Sequence, residues 1–99
     1  MTMTMSQMNW SRGVKNGNER HRSPRLDRVI DSFDLTKRQK SIMLLLAYGY
    51  TSEQISAELG ISGNTLRTHL RNMFTTLRVS DRAKLVALVL ARLIEQIDE

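Results

Sequence analysis

The residues best suited to chemistry lie between positions 62 and 78, where arginines recur at helical spacing. Arg67 and Arg71 are four residues apart, so an α-helix places both on one side. Either guanidinium could fork onto a guanine, a contact that supplies about 1–3 kcal/mol of discrimination between bases. Six polar side chains fall within an arc of about 100° on that helix: Asn64, Arg67, Thr68, Arg71, Thr75 and Arg78.

The opposite side of the same helix is apolar, and this division indicates what the helix does. Its stripe consists of Leu66, Leu70, Met73 and Leu77. No acidic residue occurs between Leu59 and Val79. A helix inserted in a major groove needs one face for the core and one for base edges and phosphates. A solvated basic face would explain the arginines equally well, so the turn before the helix has to separate the two interpretations.

That turn has the ingredients of a helix-turn-helix. A short helix ends near Leu59, Gly60 can take the positive φ of a sharp turn, and Ile61 can enter the core. Ser62 then provides an N-cap for the arginine-bearing helix. With this turn in front of it, the basic face favours DNA as its partner.

The surrounding sequence predicts the other helices through their caps. Capping boxes at Thr36-Lys37-Arg38-Gln39 and Thr51-Ser52-Glu53-Gln54 begin two helices. These are expected to end at Gly49 and Gly60. Ser62 should cap a helix that runs to about Arg78, and Ser80 a last helix from Asp81 to about Gln96. The predicted domain, residues 35–99, is therefore all-α with four helices.

Two segments precede this domain. Residues 1–22 lack periodicity and are expected to form a disordered, flexible tail. Residues 23–34 start with Ser23-Pro24, a favourable cap and first helical residue, and continue with apolar residues at helical spacing. A short amphipathic helix is expected from 24 to 33, where it could pack on the domain or meet a partner.

The composition limits the possible functions. The net charge is +5, which favours an anionic partner, and the chain contains no cysteine. The sequence has no membrane-spanning apolar run and no signal-peptide pattern, so we expect a cytoplasmic protein, associated with the nucleoid when bound to DNA. It also lacks a nucleophile–base pair, a phosphate-binding glycine loop and a carboxylate dyad. His21 and His69 are its two histidines. We therefore expect neither an enzyme, nor a metal site, nor a cofactor.

The chain resembles the LuxR-type (GerE/NarL-type) DNA-binding domain of bacterial transcription regulators. Residues 35 to about 92 carry the family's motifs in order and at its spacing: Leu35-Thr36-x-Arg38, Leu46-Ala47-x-Gly49, Ile55 with Leu59-Gly60-Ile61-Ser62, Thr65-Leu66-Arg67-Thr68-His69, and Leu77-x-Val79-x-Asp81-Arg82-Ala83. The resemblance implies that the third of the four helices is the recognition helix, with base contacts from Arg67, Thr68 and Arg71. It also implies a DNA-backbone role for Ser62, Asn64, Thr65 and His69.

Several positions depart from the family pattern. Pro-Lys is common at Gly63-Asn64, and Gly is common at Arg78. The missing lysine removes a phosphate contact, which Arg78 could restore from the far end of the helix. We therefore include Arg78 among the backbone contacts.

The last of the four helices has two apolar faces. One comprises Ala83, Val86, Ala87, Leu90 and Ile94, which suffices for the core. Leu85, Leu88 and Val89 lie nearly opposite and would then meet water. Since the resemblance makes this helix the usual dimerisation surface, we expect a homodimer formed through Leu85, Leu88 and Val89, with two half-sites on double-stranded DNA.

Two functions remain open at this stage. Only about 34 residues precede Leu35, too few for a receiver or ligand-binding domain, so a stand-alone dimeric transcription regulator is the leading expectation. The alternative is an antiactivator that pairs with a larger LuxR-type regulator. RNA polymerase is a further candidate partner. A third interpretation is the promoter-reading helix-turn-helix of sigma factors, but residues 79–83 fit the LuxR-type pattern better.

Overall fold

The computed structural model describes residues 23–97, and within this range it contains five helices and no strand. They are α1 (Pro24–Asp31), α2 (Lys37–Ala47), α3 (Ser52–Leu59), α4 (Gly63–Leu77) and α5 (Arg82–Ile97). The all-α fold is confirmed, and α1 is the predicted extra helix. The tail predicted for residues 1–22 lies outside the described residues. No helix in the described part of the chain is long and apolar enough to cross a bilayer.

Side-chain caps fix where the helices begin. The hydroxyls of Thr36 and Thr51 each complete a capping box with a glutamine three residues later, and Ser62 accepts from the Thr65 amide at 3.0 Å. The expected cap at Ser80 is wrong by one residue. Asp81 caps α5 instead, since its carboxylate accepts from the Lys84 amide at 2.9 Å. A carboxylate also interacts favourably with the positive end of the helix dipole, which a serine hydroxyl does not.

Three of the helices end in the same way. Within two residues of the end of each of α2, α3 and α4, one residue has a positive φ, namely Gly49 (89°), Gly60 (66°) and Arg78 (59°). In each case the next amide donates to a carbonyl five residues earlier, as in a Schellman motif. These bonds, all 3.0 Å long, join Tyr50 to Leu45, Ile61 to Ser56 and Val79 to Phe74. Among the described residues, Arg78 is the one non-glycine residue with a positive φ.

Helix α1 is part of the hydrophobic core. Leu26, Val29 and Ile30 are buried, together with Phe33 just beyond the helix. The helix contacts α2 and α5. Its N-terminus is further held by the Ser23 amide, which donates to the Tyr48 hydroxyl at 3.2 Å. Of the two roles left open for this segment, the structure shows packing on the domain.

The packing of α1 reverses the expected orientation of α5. Leu85 and Val89 are fully buried, and Leu88 is half-buried, whereas Leu90 and Ile94 are more than half exposed. The Arg92 guanidinium lies over the Phe33 ring, 4.8 Å from its centroid. Positions 85, 89 and 92 lie on one side of α5, so this side of α5 faces α1 and the Phe33 that follows it. The prediction that Leu85 and Val89 would meet water is therefore wrong.

Candidate nucleic-acid interface

Helix α4 divides into a core face and a polar face, as the sequence predicts. Leu66 and Met73 are buried, and Leu70 and Leu77 are half-buried beside them. The opposite face carries the six polar side chains of the predicted arc, and all six are exposed. The polar face therefore presents three guanidinium groups to solvent without a carboxylate from its own helix.

The threonines of this face use their hydroxyl protons within the helix. Thr68 donates to the Asn64 carbonyl and Thr75 to the Arg71 carbonyl, both at 3.1 Å. Each hydroxyl oxygen therefore keeps acceptor capacity, and each threonine also carries a methyl group. Such a side chain can accept from an exocyclic base amine or pack on a thymine methyl, which are major-groove features.

The start of α4 is suited to binding an anion. The amides of a first helical turn have no partner within the helix and lie at the positive end of its dipole. Ser62 and Thr65 are exposed here, and their hydroxyls are hydrogen-bonded to each other at 3.0 Å. No heavy atom lies within 4 Å of the position that a Cβ would occupy on Gly63. An approaching phosphate therefore finds open space at this helix start.

Two further predicted backbone residues lie at other points on the helix. His69 is half-buried, on the border between the apolar and polar faces. Arg78 is exposed at the far end, 16 positions after Ser62, which corresponds to about 24 Å of helix. The structure thus brings all eight predicted DNA-contacting residues onto α4 and its two ends.

Sequence reasoning missed one residue that positions this surface. Arg82, the first residue of α5, donates to the Tyr50 carbonyl and to the Ser52 hydroxyl, the latter at 3.0 Å. It thereby ties α5 to the start of α3, the first helix of the helix-turn-helix. Its position in the Asp81-Arg82-Ala83 motif was a signal, but the sequence does not indicate the partners.

The comparison with known families identifies this arrangement. A family model described as bacterial regulatory proteins, luxR family, matches residues 34–89, more than half of the chain. The chain belongs to the luxR family. The predicted resemblance is therefore confirmed, and helices α2 to α5 carry the family's DNA-binding helix-turn-helix. The match begins after α1, so this luxR-family domain has a core completed by a segment outside the family match.

The luxR-family relatives are transcription regulators by name. A probable transcriptional regulatory protein SgaR of Hyphomicrobium methylovorum is 48% identical over 54 residues, which cover 54% of the chain and 26% of that relative. The transcriptional regulator MalT of Vibrio cholerae is 32% identical over 63 residues, 64% of the chain and 7% of MalT. The chain thus spans about a quarter or less of these relatives. No solved structure matches it significantly.

Proposed function

We propose that the protein is a sequence-specific, DNA-binding transcription regulator that places α4 in the major groove. The observation that carries this proposal is the polar face of α4, exposed along its length and free of acidic residues, directly opposite a buried stripe. An ordinary surface helix also has a polar face opposite a buried stripe. What favours DNA is that this polar face carries three arginines and no acid and directly follows a helix-turn-helix turn, as a recognition helix requires.

The contacts divide into two groups. Arg67, Thr68 and Arg71 lie on the middle of the exposed face and contact base edges. Five residues contact the DNA backbone, most of them at the ends or along the border of that face: Ser62, Asn64, Thr65, His69 and Arg78. Phosphate contacts fix the position of the helix, and base contacts give the sequence preference.

We further propose that the regulator is a homodimer in the bacterial cytoplasm, formed through a different face of α5 from the one first expected. Leu90 and Ile94 are exposed by 52% and 56% and lie on one helical stripe with the exposed Ala83 and Ala87. Large apolar side chains exposed together are typical of an interface. A two-fold dimer would present two α4 helices to half-sites about one DNA turn apart.

A second candidate is an antiactivator that pairs with a larger luxR-family regulator. The observation that favours it is Asn64, where the family commonly has a lysine that contacts phosphate. The same α5 face, with Leu90 and Ile94, would then meet the corresponding helix of the larger protein. This candidate predicts weak DNA binding by the chain alone.

Selection from a randomised duplex pool, followed by anisotropy measurements in increasing salt, tests the proposal. We expect a paired motif and a steep fall of affinity with salt. Arg71→Ala should flatten one motif position, whereas Arg25→Ala, which removes the same charge from an exposed position on α1, should leave the motif unchanged. Folded protein that enriches no motif would overturn the proposal and favour the antiactivator.

A further inference from the structure

Two polar residues at the start of α4 are joined by a side-chain hydrogen bond. Arg67 Nη1 donates to Asn64 Oδ1 at 3.2 Å, one helical turn away, and both side chains are exposed. The bond does not contribute to the core, since neither side chain is buried. Its acceptor, Asn64, stands at the position where the family commonly carries a lysine.

An asparagine at this position does what a lysine cannot do. The amide oxygen of Asn64 is a hydrogen-bond acceptor, whereas a lysine ammonium can only donate. A lysine one turn from Arg67 would instead repel its guanidinium, because like charges at this spacing are destabilising. The acceptor therefore favours one arrangement of an arginine side chain that otherwise samples many rotamers.

Restricting Arg67 matters because base recognition depends on its orientation. A guanidinium has five N–H donors in a planar fork, and a bidentate contact with guanine requires this plane to lie along the base edge. The bond to Asn64 uses one donor on Nη1 and leaves the others available. Holding the fork before DNA arrives reduces the entropy lost on binding.

We propose that Asn64 is a specificity-determining residue that positions the Arg67 guanidinium for a guanine. It gives the chain discrimination at one base pair where a lysine would give attraction to any phosphate. The inference rests on the proposed function, since it assigns a role within the same recognition surface.

Three substitutions of Asn64 separate these effects. Asn64→Ala removes the acceptor, Asn64→Asp keeps an acceptor but adds a negative charge, and Asn64→Lys restores the family's common residue. Each variant is tested by anisotropy on the selected duplex and on its single-base substitutions. Thermal unfolding checks that each variant is folded, and an exposed position predicts little change in Tm.

We expect Asn64→Ala to lower discrimination about two- to five-fold at the motif position that Arg67→Ala flattens, and at no other. Loss of the proposed backbone contact of Asn64 should weaken binding to all duplexes equally, which leaves discrimination unchanged. Asn64→Asp should retain that discrimination while binding all duplexes more weakly. Asn64→Lys should bind all duplexes more tightly, with a salt slope steeper by about 0.9 for each protomer, and lose the same discrimination.

The double variant, Asn64→Ala with Arg67→Ala, tests whether Asn64 acts through Arg67. If Asn64 acts through Arg67, Asn64→Ala has no further effect on discrimination once Arg67 is alanine. Unchanged discrimination in Asn64→Ala, or an equal loss with and without Arg67, would overturn this inference and leave the proposed function standing. If the unmodified protein enriches no motif, the proposed function fails and this inference fails with it.

Discussion

Replacing Arg78 by glycine should stabilise the fold and weaken DNA binding at the same time. Arg78 ends α4 with a φ of 59°, the conformation that Gly49 and Gly60 adopt at the ends of α2 and α3. Its side chain is exposed, so the substitution removes no buried contact. The two effects arise from different parts of the residue, one from its backbone and the other from its charge.

The expected magnitudes follow from these two parts. The left-handed conformation costs an L-residue about 1–2 kcal/mol. Glycine avoids this cost but loses about 0.5–1 kcal/mol more in backbone entropy when the chain folds. The midpoints of these two ranges give a net gain of about 0.75 kcal/mol, or a rise in Tm of about 3–6 °C for a domain of this size. Loss of one phosphate contact should reduce the slope of log K against log salt by about 0.9 for each protomer.

Thermal unfolding and salt-dependent anisotropy measure the two effects separately. Arg78→Lys is the matched control: it keeps the charge and the strained backbone, so neither Tm nor the salt slope should change. A higher Tm with an unchanged salt slope would remove Arg78 from the DNA contacts. An unchanged or lower Tm in the glycine variant would refute the argument that this helix end is strained.

Three further predictions concern α5, α4 and α1. Leu90→Ala should raise the dimer dissociation constant about 30-fold in analytical ultracentrifugation, because pairing would bury about half a leucine, near 1 kcal/mol, on each of two protomers; an unchanged constant would move the interface elsewhere. Arg71→Ala should lower operator affinity by about 1–3 kcal/mol, and equal binding by the variant would remove Arg71 from the site. Phe33→Ala should lower the free energy of unfolding by about 3–5 kcal/mol in urea, and a loss below about 1 kcal/mol would contradict a core role for the α1 segment.

Most of the fold could be predicted from local signals. A capping box or a glycine stop acts over four to six residues, so the start of α3 at Thr51 and its end at Gly60 are visible in the sequence. The polar face of α4 is equally visible, because the helical repeat of 3.6 residues places Arg67 and Arg71 on a different face from Leu66.

The orientation of α5 could not be predicted in this way. The helix has two apolar stripes, one with Leu85 and Val89 and the other with Leu90 and Ile94, and either could face a core. The choice depends on α1, which lies more than fifty residues earlier in the chain and packs against α5. Local periodicity contains no information about such a contact. The hydrogen bond from Arg67 to Asn64 was also missed, because spacing permits that pair without requiring it.

The packing of α1 against α5 affects how the chain folds during its synthesis. These are the first and last described helices, so a core layer closes only through contacts between distant parts of the chain. Such contacts form late in folding because the intervening loop must first be closed. While the ribosome still holds α5, the apolar face of α1 lacks one of the two helices that it packs against, and the α3–α4 unit lacks its Arg82 tether. We therefore expect DNA binding to require synthesis of the last described helix, and a chain terminated before α5 to leave part of the apolar surface of α1 open to proteases and chaperones.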